Sequence, residues 1–290
     1  MAKKHMGLKA KNRLTNGFIY LVLIIISCIW LIPFVCLVLE SLRCECTYQV
    51  GYLIPKQWGF DNYVKLFTTT ETVKFIKWYT NTLVVAAVTS VLQTLFVLCM
   101  AYALSRLRFN GRKFLMNFML ILGMFPGMLT MIILYNVLKG LGWTQSNAVP
   151  GYILVYVASS GMGYYVSKGF FDTIPKSLDE AARVDGANRL QILFKVILPL
   201  SKPIVIYTML TAFMGPWADF VFASYISFNS TEGMNVAVGL NNLIATSSGI
   251  TKNYTTFCAG GVCVAIPVTV LFLFLQKYYV EGVTGGAVKG

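Results

Sequence analysis

Residues 175–199 read Pro175-Lys-Ser-Leu-Asp-Glu-Ala-Ala-Arg-Val-Asp-Gly-Ala-Asn-Arg-Leu-Gln-Ile-Leu-Phe-Lys-Val-Ile-Leu-Pro199, and the chain on both sides of them is strongly apolar. Ser177 followed by Glu180 has the spacing of a capping box, in which each side chain satisfies a backbone donor of the other and a helix starts. Asp179 and Glu180 then lie in the first turn, where a carboxylate suits the positive end of the helix dipole. Gly186 stops this arm, because glycine enters the left-handed conformation without a Cβ penalty. A second arm runs from about Asn188 to Pro199, with Leu190, Leu193, Phe194, Ile197 and Leu198 at one-face spacing. The pattern predicts a helix–Gly–helix elbow within 172–203. Its second arm lays an apolar stripe on neighbouring helices, and its first offers Ala181 and Ala182 to solvent. Two alanines beside a carboxylate make a low-relief surface that a partner's groove can cover closely. The same residues read equally well as an amphipathic helix resting on lipid headgroups.

The flanking sequence decides what kind of molecule carries this elbow. Of the 290 residues 57% are hydrophobic and only 12% charged, against about 25% charged in a typical soluble protein. A soluble fold cannot hide so much hydrocarbon behind so few charges. A bilayer core about 30 Å thick takes about 20 helical residues per crossing, and six apolar runs of that order occur. They lie at about Gly17–Leu39, Thr82–Leu104, Phe114–Leu138, Val149–Val166, Pro203–Ile226 and Phe257–Tyr279. The first is too long for the core of a cleaved signal peptide and shows no small-residue cleavage site, so it reads as a retained span. Pro33, Pro126, Pro216 and Pro267 fall inside runs, where neighbouring helices can satisfy freed carbonyls; they are expected to mark kinks. The expectation is an all-α polytopic membrane protein with six transmembrane helices.

A net charge of +13 could signal nucleic acid, but its distribution has a topological cause. The leader 1–16, the short segment Ser105–Lys113, the elbow segment Ser167–Lys202 and the C-terminus together hold 17 of the 24 Lys and Arg. The alternate segments, including the long Glu40–Asn81 loop, hold seven. Cations concentrate on the cytoplasmic side of membrane proteins, so both termini and the elbow are expected there, and no nucleic-acid partner is expected. The only histidine is His5, which argues against a His-dependent triad, a His-rich metal site or a haem ligand. No Gly-x4-Gly-Lys-Ser/Thr loop occurs, so the chain does not bind ATP by that route. Most of the seven cysteines sit in apolar runs as small packing residues.

Asp219, in Trp217-Ala-Asp-Phe220, is the only carboxylate deep in an expected span. An intramembrane ionisable group is a functional candidate by default. It reads as a structural anchor or as a possible lining residue of a translocation pathway. The polar segment Ser227–Thr256 reads as a passive tether or as a loop that reaches toward a partner.

Glu180-Ala181-Ala182, then Gly186, then nine residues and Val196-Ile197-Leu198-Pro199, resembles the EAA motif of permease subunits of binding-protein-dependent ABC importers. That motif runs E-A-A-x3-G-x9-I-x-L-P, and the single departure is Val196 for Ile. Asp185-Gly186-Ala187, Leu198-Pro199-Leu200, Pro126-Gly127 and the ending Tyr279–Gly290 are similar to the carbohydrate branch, most like the second, six-span permease of maltose/maltodextrin-type transporters. The resemblance implies a type I importer permease fold. Its parts would be a basic cytoplasmic leader (1–16), a first span with a long extracytoplasmic loop (17–71), a permease core of five spans (72–280) and a cytoplasmic tail (281–290).

The resemblance also implies that the first arm is a coupling helix seated on a separate ATPase subunit. Ser177, Glu180, Ala181, Ala182, Asp185, Gly186 and Pro199 would form the coupling contact, and Val288, Lys289 and Gly290 would reach the ATPases. The implied partners are a homologous second permease, two ATPase subunits, an extracytoplasmic solute-binding protein, a sugar and the lipid of a bacterial cell membrane. ATP and magnesium would belong to the ATPase chains, leaving this chain no cofactor and no catalytic residue. The rival expectation is a subunit of an ion-coupled secondary transporter. Such proteins usually carry more spans, inverted repeats and paired intramembrane charges; one such charge and no clear repeat are present.

Overall fold

The computed structural model describes residues 8–45, 51–69, 73–124, 127–160, 163–228 and 230–284. Among these residues the fold is all-α, with one isolated bridge between Arg43 and Trp58. The chain divides into two units. One holds the described residues of Met1–Thr68 and Ile244–Val262, the other those of Thr69–Leu243 and Cys263–Gly290.

The first unit opens with α1 (Leu8–Ser41). Its apolar part, Thr15–Ser41, is long enough to cross a membrane, and its most apolar stretch has no buried residue. The segment after it folds around a buried cation. The fully buried Arg43 makes two 2.9 Å hydrogen bonds to Glu40 and donates to the carbonyls of Tyr52 and Leu53. Helix α2 (Asp61–Thr68) carries Asn62, which donates to the carbonyls of Ser41 and Arg43 and accepts from Thr255. Charge buried this deeply needs partners: Nε and Nη2 find them in the Glu40 carboxylate and the two carbonyls, and Nη1 lies 3.6 Å from the Glu45 carboxylate without a hydrogen bond.

The second unit is built on α3 (Phe75–Arg106). After it come α4 (Arg112–Gly123), α5 (Gly127–Gly140), α6 (Ala148–Ala158), α7 (Gly163–Thr173) and α8 (Ser177–Val184). Next are α9 (Arg189–Leu200) and α10 (Lys202–Ala218), then α11 (Val221–Ser227) and α12 (Val236–Ile244). The last helix, α13 (Ser247–Thr284), starts in the first unit and ends in the second. Helix α3 packs against α10, α7 and α6. One buried cluster joins Leu98, Ala101 and Tyr102 of α3 to Phe171 of α7, to Ile192, Leu193 and Ile197 of α9, and to Ile204 of α10.

The six continuous spans expected from the sequence do not appear as six helices. Among the described residues three helices are long and apolar enough to cross: Thr15–Ser41, Phe75–Arg106 and Ser247–Tyr278. A fourth crossing arises only if Arg189–Leu200 and Lys202–Ala218, bent by 88°, count as one. The expected run Phe114–Leu138 is split into α4 and α5, with Gly123 ending one and Gly127 opening the other. Pro126 lies outside the described residues. The run Val149–Val166 is split into α6 and α7, the second opening at Gly163. The run Pro203–Ile226 breaks at Asp219, which is extended, just after Pro216. Glycine and proline are the poorest helix formers, and hydropathy alone does not register where they interrupt a run. The fold is nonetheless that of a polytopic, all-α membrane protein.

Candidate functional site

Helix α8 starts one residue earlier than the capping box places it. Lys176 is its N-cap and no side-chain cap bond forms. The backbone carbonyls of Pro175 and Lys176 take the first amides instead: Leu178 donates to Pro175, and Asp179 and Glu180 both donate to Lys176. Pro175 has a fixed φ that suits the entry to a helix, so the turn closes on main-chain acceptors and Ser177 is left exposed inside the helix. The capping box occurs at the second arm, where Asn188 and Gln191 each satisfy the other's backbone amide at 2.9 and 2.8 Å.

Gly186 does adopt the left-handed conformation, with φ +82°. The amide of Ala187 bonds to the carbonyl of Ala182 at 2.9 Å and that of Gly186 to Arg183 at 3.0 Å. These two bonds are the Schellman pattern that closes a helix C-terminus. Around this turn Glu180, Ala181, Asp185 and Gly186 are exposed. Ala182 differs from the expectation: it is half-buried and packs on the Leu98–Ile204 cluster, so only Ala181 of the pair is fully open.

The second arm continues one residue past Pro199, to Leu200. Its middle, Ile192–Ile197, is a π-helix, and the amide of Leu198 bonds back to the carbonyl of Leu193. Proline has no N–H to continue the ladder, and the widened turn just before it takes up the change. Widening also rotates the buried face. Ile192, Leu193 and Ile197 are buried, whereas Leu190 and Phe194, placed in the stripe from sequence, are 65% and 50% exposed.

Two residues passed over at the sequence level fasten this turn to the unit's central helix. Asp179, assigned there only to the helix dipole, is buried and lies 3.2 Å from the guanidinium of Arg106, the last residue of α3. Arg106 in turn donates to the carbonyl of Ile174 at 2.8 Å. Their signal was masked, because Arg106 sits among four cations that topology already accounted for. Close by, Ser105 of α3 donates to Asp172 of α7 at 2.6 Å, and Lys168 donates to the same carboxylate at 2.6 Å. Burial pushes the Asp172 carboxyl up, but the Lys168 and Ser105 hydrogen bonds outweigh it and hold the group below its ordinary value.

Asp219 is held by hydrogen bonds through its side chain and its carbonyl. Its carboxylate accepts from Tyr156 Oη of α6 at 2.5 Å and from the amide of Phe222, in the first turn of α11, at 3.1 Å. Asn235 bonds to the Asp219 carbonyl at 2.6 Å. The segment after α11 is no loose tether. Asn81 donates to the carbonyls of Glu232 and Met234, Trp78 to that of Thr231, and Tyr152 to that of Gly233. Gly239 lies against the Trp78 ring, where an added Cβ would overlap it. Val288, Lys289 and Gly290 lie outside the described residues.

Residues 96–285, which contain α8, the Gly186 turn and Asp219, match the family described as "Binding-protein-dependent transport system inner membrane component". The chain belongs to this family. It is similar to the galactooligosaccharides transport system permease protein GanQ of Bacillus subtilis, at 40% identity over 82% of this chain and 83% of the relative. It is also similar to the maltodextrin transport system permease protein MalD of Streptococcus pneumoniae, at 34% identity over 98% and 99%. In fold it is similar to a chain from the crystal structure of a bacterial ABC transporter involved in the import of the acidic polysaccharide alginate. There the TM-score is 0.76 at 23% identity, covering 96% of this chain and 99% of that one. The chain is thus a non-catalytic permease component of a binding-protein-dependent system, which sets aside the ion-coupled rival.

Proposed function

We propose that this permease forms half of the translocation pathway of an ATP-driven oligosaccharide importer. A homologous second permease supplies the other half, two ATPase subunits seat on the cytoplasmic side, and a solute-binding protein delivers sugar from outside. The names of its relatives support an oligosaccharide cargo, of the maltodextrin or galactooligosaccharide class. ATP and magnesium reside in the ATPases, and this chain needs no cofactor of its own. The charge asymmetry of 17 against seven supports a bacterial cell membrane topology with both termini cytoplasmic. Six crossings are compatible with the broken helices if α4 with α5, α6 with α7, and α10 with α11 each make one interrupted span. Irregular backbone is tolerated at membrane depth where protein buries it.

One observation carries the mechanism: the buried Arg106–Asp179 pair ties α8 directly to the end of the apolar helix α3. Residues 175–200 then act as a coupling elbow. The exposed face of Glu180 and Ala181 seats in a cleft of the ATPase, with Ser177 and Asp185 at its margins. Gly186 and Pro199 set the elbow's two bends. When nucleotide closes the ATPase pair, the push on α8 passes through Asp179 and Arg106 into α3, and the spans rock between inward- and outward-facing arrangements. Val288, Lys289 and Gly290 add contacts between the ATPases. Asp219 serves the pathway indirectly, by fixing α11 against α6.

The reading is tested in proteoliposomes holding the full assembly. Glu180→Ala is expected to leave all subunits co-purifying while binding-protein-stimulated ATPase and sugar uptake fall together. Unchanged uptake and stimulation in that variant would refute the coupling role. Thermal shift of the solute-binding protein against maltodextrins and galactooligosaccharides identifies the cargo.

A further inference from the structure

A polar cavity of about 420 Å³ opens beside the Arg106–Asp179 pair. Six cations line it: Arg106 at the end of α3, Arg108 in the following loop, Arg112 at the start of α4, Lys176 before α8, Arg183 in α8 and Arg189 in α9. Only two carboxylates, Asp179 and Glu180, share the wall. Asp179 is taken by Arg106, and among the described residues no carboxylate lies within 4 Å of the other five cations. Arg106 is 9% exposed, and its Nη1 is buried without a hydrogen-bond partner.

Charge segregation across a membrane requires cations in this loop region, but it does not require six of them, from separate elements, to converge on one small space. Convergence costs mutual repulsion in a partly desolvated site, and a buried guanidinium nitrogen left unpaired costs more. An anion with several acceptor oxygens removes both costs. A phosphate group suits arginine forks in charge and shape.

We infer that this cavity binds the phosphate of an anionic phospholipid, clamping α8 and α9 to the ends of α3 and α4. The lipid source follows from position. The cavity lies at the last two residues of a 32-residue apolar helix, and Phe109 of the following loop and Phe114 in the first turn of α4 are 43% and 73% exposed, apolar groups placed to meet the glycerol and acyl region. Basic residues at a membrane surface each add about 1 kcal/mol of attraction to anionic lipid. The inference rests on the cytoplasmic orientation proposed above for residues 105–113.

The test is native mass spectrometry of the purified protein, titrated with phosphatidylglycerol or phosphatidylcholine, with inorganic phosphate in a parallel series. Phosphatidylglycerol is expected to be retained over phosphatidylcholine, and Arg108→Gln/Arg189→Gln to weaken that preference about tenfold or more. Lys65→Gln/Lys139→Gln, which removes as much charge elsewhere, is expected to keep it. In the unmutated protein, nanodiscs with phosphatidylglycerol are expected to slow amide exchange across residues 178–187 relative to phosphatidylcholine alone. The inference is overturned by equal retention of the two lipids, by equal loss in both double variants, or by millimolar inorganic phosphate giving the same protection without anionic lipid. Lipid retention is read without transport, so its failure leaves the coupling role standing, and a coupling failure leaves the lipid result intact.

Discussion

Replacing Gly186 by alanine isolates the backbone requirement of the turn between α8 and α9. An added Cβ there meets no atom within 4 Å, so no steric clash contributes. What remains is conformational: at φ +82° a residue with a Cβ is strained by roughly 1–2 kcal/mol. That strain opposes the two closing bonds, Ala187 to Ala182 and Gly186 to Arg183. A loss of 1–2 kcal/mol is a factor of about 5–30 in the ratio of closed to open turn. Hydrogen exchange followed by mass spectrometry over residues 178–190 reads that ratio, and the Ala187 amide is expected to exchange faster by that factor in Gly186→Ala. Gly186→Asn is expected to fall between, since asparagine tolerates the left-handed region better. Gly186→Pro is expected to be worst, because it lacks the N–H bonded to Arg183 and fixes φ near −65°. Exchange in Gly186→Ala equal to that of the unmutated protein, or faster in Gly186→Asn than in Gly186→Ala, would refute the reasoning.

Asp179→Ala strands a buried guanidinium and is expected to cost about 3–5 kcal/mol, seen as a lower melting temperature in detergent. Asp179→Leu with Arg106→Met is expected to recover most of that stability while still lowering ATPase–uptake coupling. Tyr156→Phe removes a hydrogen bond to the Asp219 carboxylate and is expected to cost about 1.5–3 kcal/mol. Asp219→Asn, whose Oδ1 can still accept from the Phe222 amide while its Nδ2 donates to Tyr156 Oη, is expected to keep uptake near normal; abolished uptake at normal expression would favour a role in the pathway. Asp172 has a folded pKa below its ordinary 3.8, so its stabilising contribution is present above that value and is lost as pH falls through the folded one. Thermal melts between pH 5 and pH 3 are expected to show a stability loss that Asp172→Asn lacks.

The membrane class, the left-handed Gly186 and the short first arm were legible because each rests on a local rule: too few charges, a residue without a Cβ, a carboxylate-rich first turn. The helix start was misread because a capping box competes with main-chain acceptors, and Pro175 favoured the latter. The stripe of the second arm was misread because a 3.6-residue period was applied to a turn that Pro199 widens, which exchanged Leu190 and Phe194 for Ile192. The continuous spans were misread because hydropathy does not register breaks at Gly163 or after Pro216. The Arg106–Asp179 pair joins residues 73 positions apart, and nothing in their local sequence sets them apart from neighbouring charges. Asp219 could be singled out from sequence, but its partner Tyr156 could not, since it lies on another helix.

Site-directed cross-linking of the assembled complex tests the central claim most directly. With cysteine at position 181, on the exposed face of α8, a bifunctional reagent is expected to join this chain to an ATPase subunit and to arrest uptake in the same preparation. An assembly that transports sugar with position 181 free, or that contains no ATPase subunit to capture, would contradict the account.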